Sequence, residues 1–354
     1  MSGAEPEGHV QAVRVVRHAA PREAIEVLDV PVPEPGPGQV RVRVSAASLN
    51  FGDIARCRGG VAAVLAEPPF TLGMDVAGIV EAAAPGAEDW VGRRVVGISP
   101  QSLGGLAEHA LAGTWFDAPP ELDDVEAAAF TLPFHIGYLA LHERAALQPG
   151  ETVVVRGGAS AVGTAAIQLA VAAGARVIAV AGGPAKARLC TDLGAARAID
   201  QETEDIFEVV MDETGDKGAD VIFDPVGGEL TETMWTCGAL GGRYLAVGFN
   251  DDPESGLTGR PLRKLSMANM TAMGVILAYL DVPRALRRFG LNPFPPETGV
   301  RVHAALLDLV AAGRVRPVVG RRIGLGDVAE ALEDHAARRT SGRTVVDLLN
   351  GATR

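Results

Sequence analysis

The stretch Thr152-Val-Val-Val-Arg-Gly-Gly-Ala-Ser-Ala-Val-Gly-Thr-Ala-Ala-Ile-Gln-Leu-Ala170 decides the fold of this chain. Its opening is a run of β-branched residues suited to a strand buried on both faces; its close is small, apolar and helix-forming. Between them Gly157 to Gly163 form a Gly-rich turn at a helix N-terminus. Backbone N–H groups converge there and the helix dipole favours negative charge, which suits the pyrophosphate of a dinucleotide. Gly158, Ser160, Ala161, Val162 and Gly163 are therefore candidate cofactor contacts. Such a loop also serves plain strand–helix packing, so by itself it is weak evidence. A hydrolase elbow of the form G-x-S-x-G is a rival reading of 158–162, with His303 or His335 as base, but Val162 stands in the fifth position.

Downstream, strand and helix patterns alternate: RVIAVAG (176–182), PAKARLCTDLG (184–194), ARAID (196–200), TEDIFEVVMDETG (203–215), ADVIFDPV (219–226) and, after a further helix, GRYLAVG (242–248). Alternating units of this kind make a parallel, doubly wound sheet, so the fold class is α/β. The second strand ends in Ala179-Val180-Ala181-Gly182-Gly183 with no acid, and Lys186 and Arg188 follow. An acid at that point binds the ribose 2′-hydroxyl of NAD, whereas a cation suits the 2′-phosphate of NADP. NADPH is the cofactor this favours, with Gly182 and Lys186 as contacts; the bland alternative makes Lys186 and Arg188 the solvated face of a helix. MTAMGVIL (270–277) reads as one more strand, VRVHAALLDLVAAG (300–313) as a helix, and residues 316–349 as strand, helix, strand.

Upstream, Ala12 to Asp89 alternate apolar and polar residues in short runs such as RVRVSAASL (41–49) and TLGMDVAGIVEAA (71–83), broken by Pro and Gly clusters. That pattern is β-rich. Short strands are expected at 93–99 and 107–112, and one helical stretch from Asp123-Asp124 through Ala145.

A chain of 354 residues with 47% hydrophobic content fits two domains. Its 32 Lys and Arg against 44 Asp and Glu give a net charge of -12, which repels nucleic acid and anionic membrane surfaces. The basic run Arg314 to Arg322 is interleaved with apolar residues and reads as a strand. Cys57, Cys190 and Cys237 lack paired spacing, so a reducing, cytoplasmic setting is expected; the N-terminus lacks the character of a signal peptide. The apolar stretch 164–181 is interrupted by Gln168, Gly174 and Arg176, unlike a membrane span.

The stretches SLNFGDIARCRGG, PFTLGMDVAGIVEAAAPG, GGLAEHALA, VVVRGGASAVGTAAIQLA, GADVIFDPVGG, GGRYLAVGF and GRTVVDL occur in one order along the chain. Together they resemble the medium-chain dehydrogenase/reductases, in the quinone oxidoreductase branch. The resemblance implies a discontinuous, β-rich GroES-like catalytic domain, 1–135 and 286–354, around a Rossmann domain, 136–285. It implies that Gly163 and its loop hold the pyrophosphate, that Lys186 contacts the adenosine phosphate and that the 224–228 turn, with Val226 and Gly227, lies near the cofactor. Phe249 joins that set, and Arg343 is expected to reach a phosphate from the tail. It also implies a homodimer paired through the edge strand at MTAMGVIL.

Zinc-dependent relatives carry a Cys in the SLNFGD segment and a His-Glu pair in the G-H-E segment; here those positions read Asn50 and Gly73-Met74-Asp75, so no metal site is expected. What remains is hydride delivery from the nicotinamide to a quinone or an α,β-unsaturated carbonyl, polarised by hydrogen bonds. Asn50 is the first candidate for lining that site and Asp53 the second; their structural alternative is capping a turn and a helix. Departures from the family pattern are Ser160 in place of a central Gly, tolerated if its φ is negative, and Ile136 in place of a Thr. No Tyr adjoins Asn50 as in enoyl-thioester reductases, which leaves Tyr138 or His135 as proton sources for that alternative. A non-catalytic NADPH-binding sensor or structural protein is the reading from another class. Segments 250–264 and 288–296 are either substrate-bordering or plain surface loops.

Overall fold

The computed structural model describes residues 8–60, 66–248, 262–281, 284–288 and 290–349. They divide into two compact units, Leu132–Arg316 and Met1–Thr131 with Pro317–Arg354.

The unit 132–316 is built on a six-stranded sheet whose spatial order is Arg197–Asp200, Arg176–Ala181, Thr152–Arg156, Ala219–Asp224, Gly238–Ala246, Thr271–Gly274. Every neighbouring pair is parallel. Taken in chain sequence this is the 3-2-1-4-5-6 arrangement of a Rossmann sheet, with its order reversing beside Thr152–Arg156. Val153, Val154 and Val155 there are fully buried, as a strand covered on both faces requires. Ile178, Val180, Ile222, Met234, Trp235 and Tyr244 fill one side of that core. Helix Ile206–Thr214 is capped by Asp205, whose carboxylate accepts from Phe207 N and Glu208 N, and it ends on left-handed Gly215.

The strand read over MTAMGVIL covers only Thr271–Gly274, because its partner strand leaves the sheet after Ala246. The single helix read from Asp123 onward is broken into Asp124–Ala128 and Thr131–Tyr138, followed by a wider turn over Leu139–Arg144. Pro133 lacks the N–H that an unbroken helix needs there. Helix Pro296–Ala311 and the residues up to Arg316 group with the parallel sheet, whereas the sequence reading opened the returning part of the β-rich domain at 286. The cause is local: Arg316 N donates to Gln168 Oε1 at 2.8 Å, and Gly299 lies against the ring of Tyr279.

In the other unit the C-terminal strand Arg343–Asp347 pairs antiparallel with Val40–Ser48, placing the tail inside an N-terminal seven-stranded sheet. A second sheet of three strands holds His9–Val15 at its centre. Val13, Val42, Leu49, Leu72, Leu106, Leu332 and Val346 share one core. Helix Phe51–Arg58 follows directly on the segment that carries Asn50. The fold is thus a β-rich GroES-like domain plus a Rossmann-like α/β domain. No helix among the described residues is long and apolar enough to cross a membrane.

Candidate functional site

The Gly157–Gly163 loop leads into helix Ala161–Ala172 as the sequence pattern requires. Ser160 is its N-cap, with φ -72° and ψ 165°, and its Oγ accepts from Gly163 N at 3.0 Å. Serine thus replaces the family glycine without left-handed backbone and satisfies one of the helix's unpaired donors. Gly157 does need glycine, at φ 62°. A Cβ on Gly163 would stand 2.2 Å from Gly157 O, and one on Gly158 2.8 Å from Cys190 Sγ. Among the described residues no protein acceptor meets the N–H groups of Ala161 and Val162, both half-buried. Two aimed donors at a helix N-terminus can hold a phosphate oxygen.

The turn after strand Ala219–Asp224 is pinned from beneath. Asp224, fully buried, accepts from Val226 N and Gly227 N at 2.9 Å each, from Tyr244 Oη at 2.8 Å and from Arg156 Nη1 at 3.1 Å. Arg156 Nη1 also donates to Gly227 O at 2.5 Å. Burial, and then the neighbouring Asp224 carboxylate, push the Tyr244 hydroxyl far above the ordinary phenol range, so it stays a donor. Sequence reasoning named the turn but missed Arg156 and Tyr244, whose side chains reach Asp224 only across the sheet.

Gly182 follows strand Arg176–Ala181, and Lys186 lies half-buried on helix Pro184–Asp192, with Arg188 exposed. Gly183, at φ 85°, donates its N–H to Asp200 Oδ1 at 2.8 Å. Phe249 lies outside the described residues, as do 250–261 and 289 of the two loop segments singled out above.

In the β-rich unit, Asn50 is 6% exposed and its side chain turns inward rather than capping the helix that follows. Arg343 Nη2 donates to Asn50 Oδ1 at 2.9 Å and to Asp75 Oδ2 at 2.5 Å; Arg343 Nε donates to Ser48 Oγ at 2.9 Å. Asn50 Nδ2 donates to Asp75 Oδ2 at 3.0 Å. A guanidinium only donates and a carboxylate only accepts, so the flanking charges fix which end of the amide faces which neighbour. One Nδ2–H is left over. Arg343, read as a phosphate ligand, instead has its guanidinium engaged in this buried cluster. Asp53, also fully buried, closes the helix start, accepting from Asn50 N and from Arg56 Nη1, each at 2.8 Å.

His135 and Tyr138 differ. His135 is enclosed, with Nδ1 3.0 Å from Tyr279 Oη and Nε2 3.1 Å from His303 Nδ1; burial holds it well below the ordinary imidazole range. Tyr138 lies against His142, the rings tilted by 38° with 4.3 Å between centroids. Ser160 Oγ serves as a cap, His303 is paired with His135, and His335 Nε2 lies 3.0 Å from Thr344 Oγ1, so the elbow reading has no nucleophile–base pair behind it.

Residues 161–290 match the family model described as zinc-binding dehydrogenase, and residues 36–115 the alcohol dehydrogenase GroES-like domain. Quinone oxidoreductase-like protein 2 of Bos taurus is 30% identical over 304 residues, 85% of this chain and 82% of that protein. The phthioceranic/hydroxyphthioceranic acid synthase of Mycobacterium tuberculosis is 34% identical over 286 residues, 76% of this chain; the chain spans only 13% of that synthase's length. Among solved structures, the quinone oxidoreductase of Thermus thermophilus, determined alone and with NADPH, superposes with a TM-score of 0.73 at 31% identity, covering 96% of this chain and 100% of the other.

The donors present do not suit the zinc in the family description. Asn50 offers an amide, Met74 a thioether, and Asp75 is already paired with a guanidinium. Among the described residues no three His, Cys, Asp or Glu side chains group as metal ligands, and burial pushes the thiols of Cys57, Cys190 and Cys237 up to about 12.

Proposed function

The chain belongs to the quinone oxidoreductase-like proteins of the medium-chain dehydrogenase/reductase superfamily, a family of oxidoreductases, and we propose that it is an NADPH-dependent, metal-independent reductase of quinones or α,β-unsaturated carbonyls. The observation that carries this reading is the buried Asn50 amide, held between Arg343 and Asp75 with one Nδ2–H to spare.

When bound, NADPH supplies a hydride from C4 of its nicotinamide. The chain's residues bind and orient. Ala161 and Val162 offer backbone N–H groups to the pyrophosphate, while Gly158 and Gly163 keep the loop low and Ser160 holds the helix start. Gly182 and Lys186 serve the adenosine end, Val226 and Gly227 the nicotinamide side, and Arg343 acts through Asn50 rather than on a phosphate. The remaining Asn50 Nδ2–H is offered to the carbonyl oxygen of the acceptor, where negative charge develops. Asp53 sets the helix that follows Asn50. With His135 enclosed, solvent is the proton source this reading favours.

The test is oxidation of NADPH followed by absorbance on adding 1,4-benzoquinone, 9,10-phenanthrenequinone or an alkenal, with and without a metal chelator. Acceptor-dependent, chelator-insensitive oxidation is expected; loss of activity on chelation would overturn metal independence. A second reading, an enoyl-thioester reductase, is favoured by the likeness to part of the mycobacterial synthase. It predicts faster turnover of an enoyl thioester than of any quinone. A homodimer paired through Thr271–Gly274 belongs to the same proposal, since that strand ends the sheet order and the edge strand of a sheet can pair with a second copy.

A further inference from the structure

In an open parallel sheet a dinucleotide's adenosine ribose lies beyond the carboxyl end of the second strand, and the charge there selects between a 2′-hydroxyl and a 2′-phosphate. Here that strand ends at Ala181 and carries no acid of its own. The neighbouring strand brings one. Gln201 N donates to Ala181 O at 2.9 Å, while Asp200 Oδ1 accepts from Gly183 N at 2.8 Å and from Glu202 N at 3.1 Å. These three bonds fix the backbone of residues 200–202 against the 181–183 turn. In consequence Glu202 Oε1 lies 3.1 Å from where a Cβ on Gly182 would stand, and Oε2 3.8 Å from the same point on Gly183.

We infer that Glu202 is a specificity-determining residue at the adenosine end of the cofactor site: its carboxylate opposes a 2′-phosphate that Lys186 attracts, narrowing the preference for NADPH over NADH. The inference rests on the cofactor reading above. A carboxylate is also an acceptor for a 2′-hydroxyl, so Glu202 acts on both nucleotides with opposite sign. A single negative charge about 7 Å from a doubly charged phosphate in a solvent-facing site changes affinity about five- to tenfold at low salt.

Glu202 is exposed, so Glu202→Gln leaves the core untouched. Dissociation constants of the full chain and this variant are measured for NADPH, NADH and the adenosine-end probe 2′,5′-ADP, at low and high salt. The expected result is about five- to tenfold tighter binding of NADPH and 2′,5′-ADP by the variant, shrinking at high salt, with NADH unchanged or weakened. Lys186→Ala should move the NADPH-to-NADH ratio the other way. Binding by both proteins with a ratio unchanged within about twofold overturns the inference alone. Failure of the wild-type chain to bind either nucleotide overturns the cofactor reading and the inference with it.

Discussion

Replacing Gly163 with Ala tests the nucleotide loop at its tightest point. The added Cβ would stand 2.2 Å from Gly157 O and 2.8 Å from Gly158 Cα. Both obstacles are backbone, so no side chain can swing aside, and relief requires helix Ala161–Ala172 to move off the loop by about 1 Å. Overpacking of this kind costs about 1–3 kcal/mol, and the backbone obstacles place this case at the upper end. The same movement carries the Ala161 and Val162 N–H groups out of reach of a phosphate. A hydrogen bond to a charged group contributes about 1.5–3 kcal/mol, so losing one weakens NADPH binding about tenfold or more. The assay is urea unfolding of the transition that NADPH shifts, together with a fluorescence titration of the nucleotide. Ser160→Gly is the control: it removes the cap at a cost of only a few tenths of a kcal/mol and adds no atoms. Gly163→Ala with stability within about 0.5 kcal/mol of wild type and NADPH affinity within about twofold would refute the reasoning.

Asn50→Ala should lower kcat for a quinone at least tenfold, about 1.4 kcal/mol of transition-state stabilisation, with the NADPH dissociation constant within about threefold in stopped-flow titration. Arg156→Met leaves the buried Asp224 carboxylate without its cation and should cost about 3–5 kcal/mol in denaturant unfolding, against about 1.5–3 kcal/mol for Tyr244→Phe, which removes one donor. His335 is held down at about 4, chiefly by burial and then by Arg343, against an ordinary value of 6.5. The unfolded chain therefore takes up a proton near pH 6.5 that the folded chain refuses until about pH 4, so stability falls with acid across that window. A pH series of melting temperatures in which His335→Gln shows the same loss between those values would contradict it.

The sheet was legible because its signal is local. β-branched residues line the strands, Ser160 and Asp205 cap two of the helices, and the loop from Gly157 to Gly163 sits where those rules put it. Element ends were less legible: the last Rossmann strand stops when its partner leaves the sheet, which nothing in MTAMGVIL encodes. The candidate site divides the same way. Ser160 was readable as a departure whose cost depended on φ, and the negative φ with a cap bond explains why serine serves. Arg343 was not readable, because its partners Asn50 and Asp75 lie 293 and 268 residues away. Glu202 escaped for a related reason: the rule for cofactor choice inspects the second strand, whereas the carboxylate arrives from the third.

The most direct test of the central claim is a single experiment on the purified chain: fluorescence titration with NADPH and NADH, followed in the same cuvette by addition of 1,4-benzoquinone. The account predicts tighter binding of NADPH and its oxidation on adding the quinone. Binding of neither nucleotide, or binding with no oxidation by any quinone or enone, would contradict it.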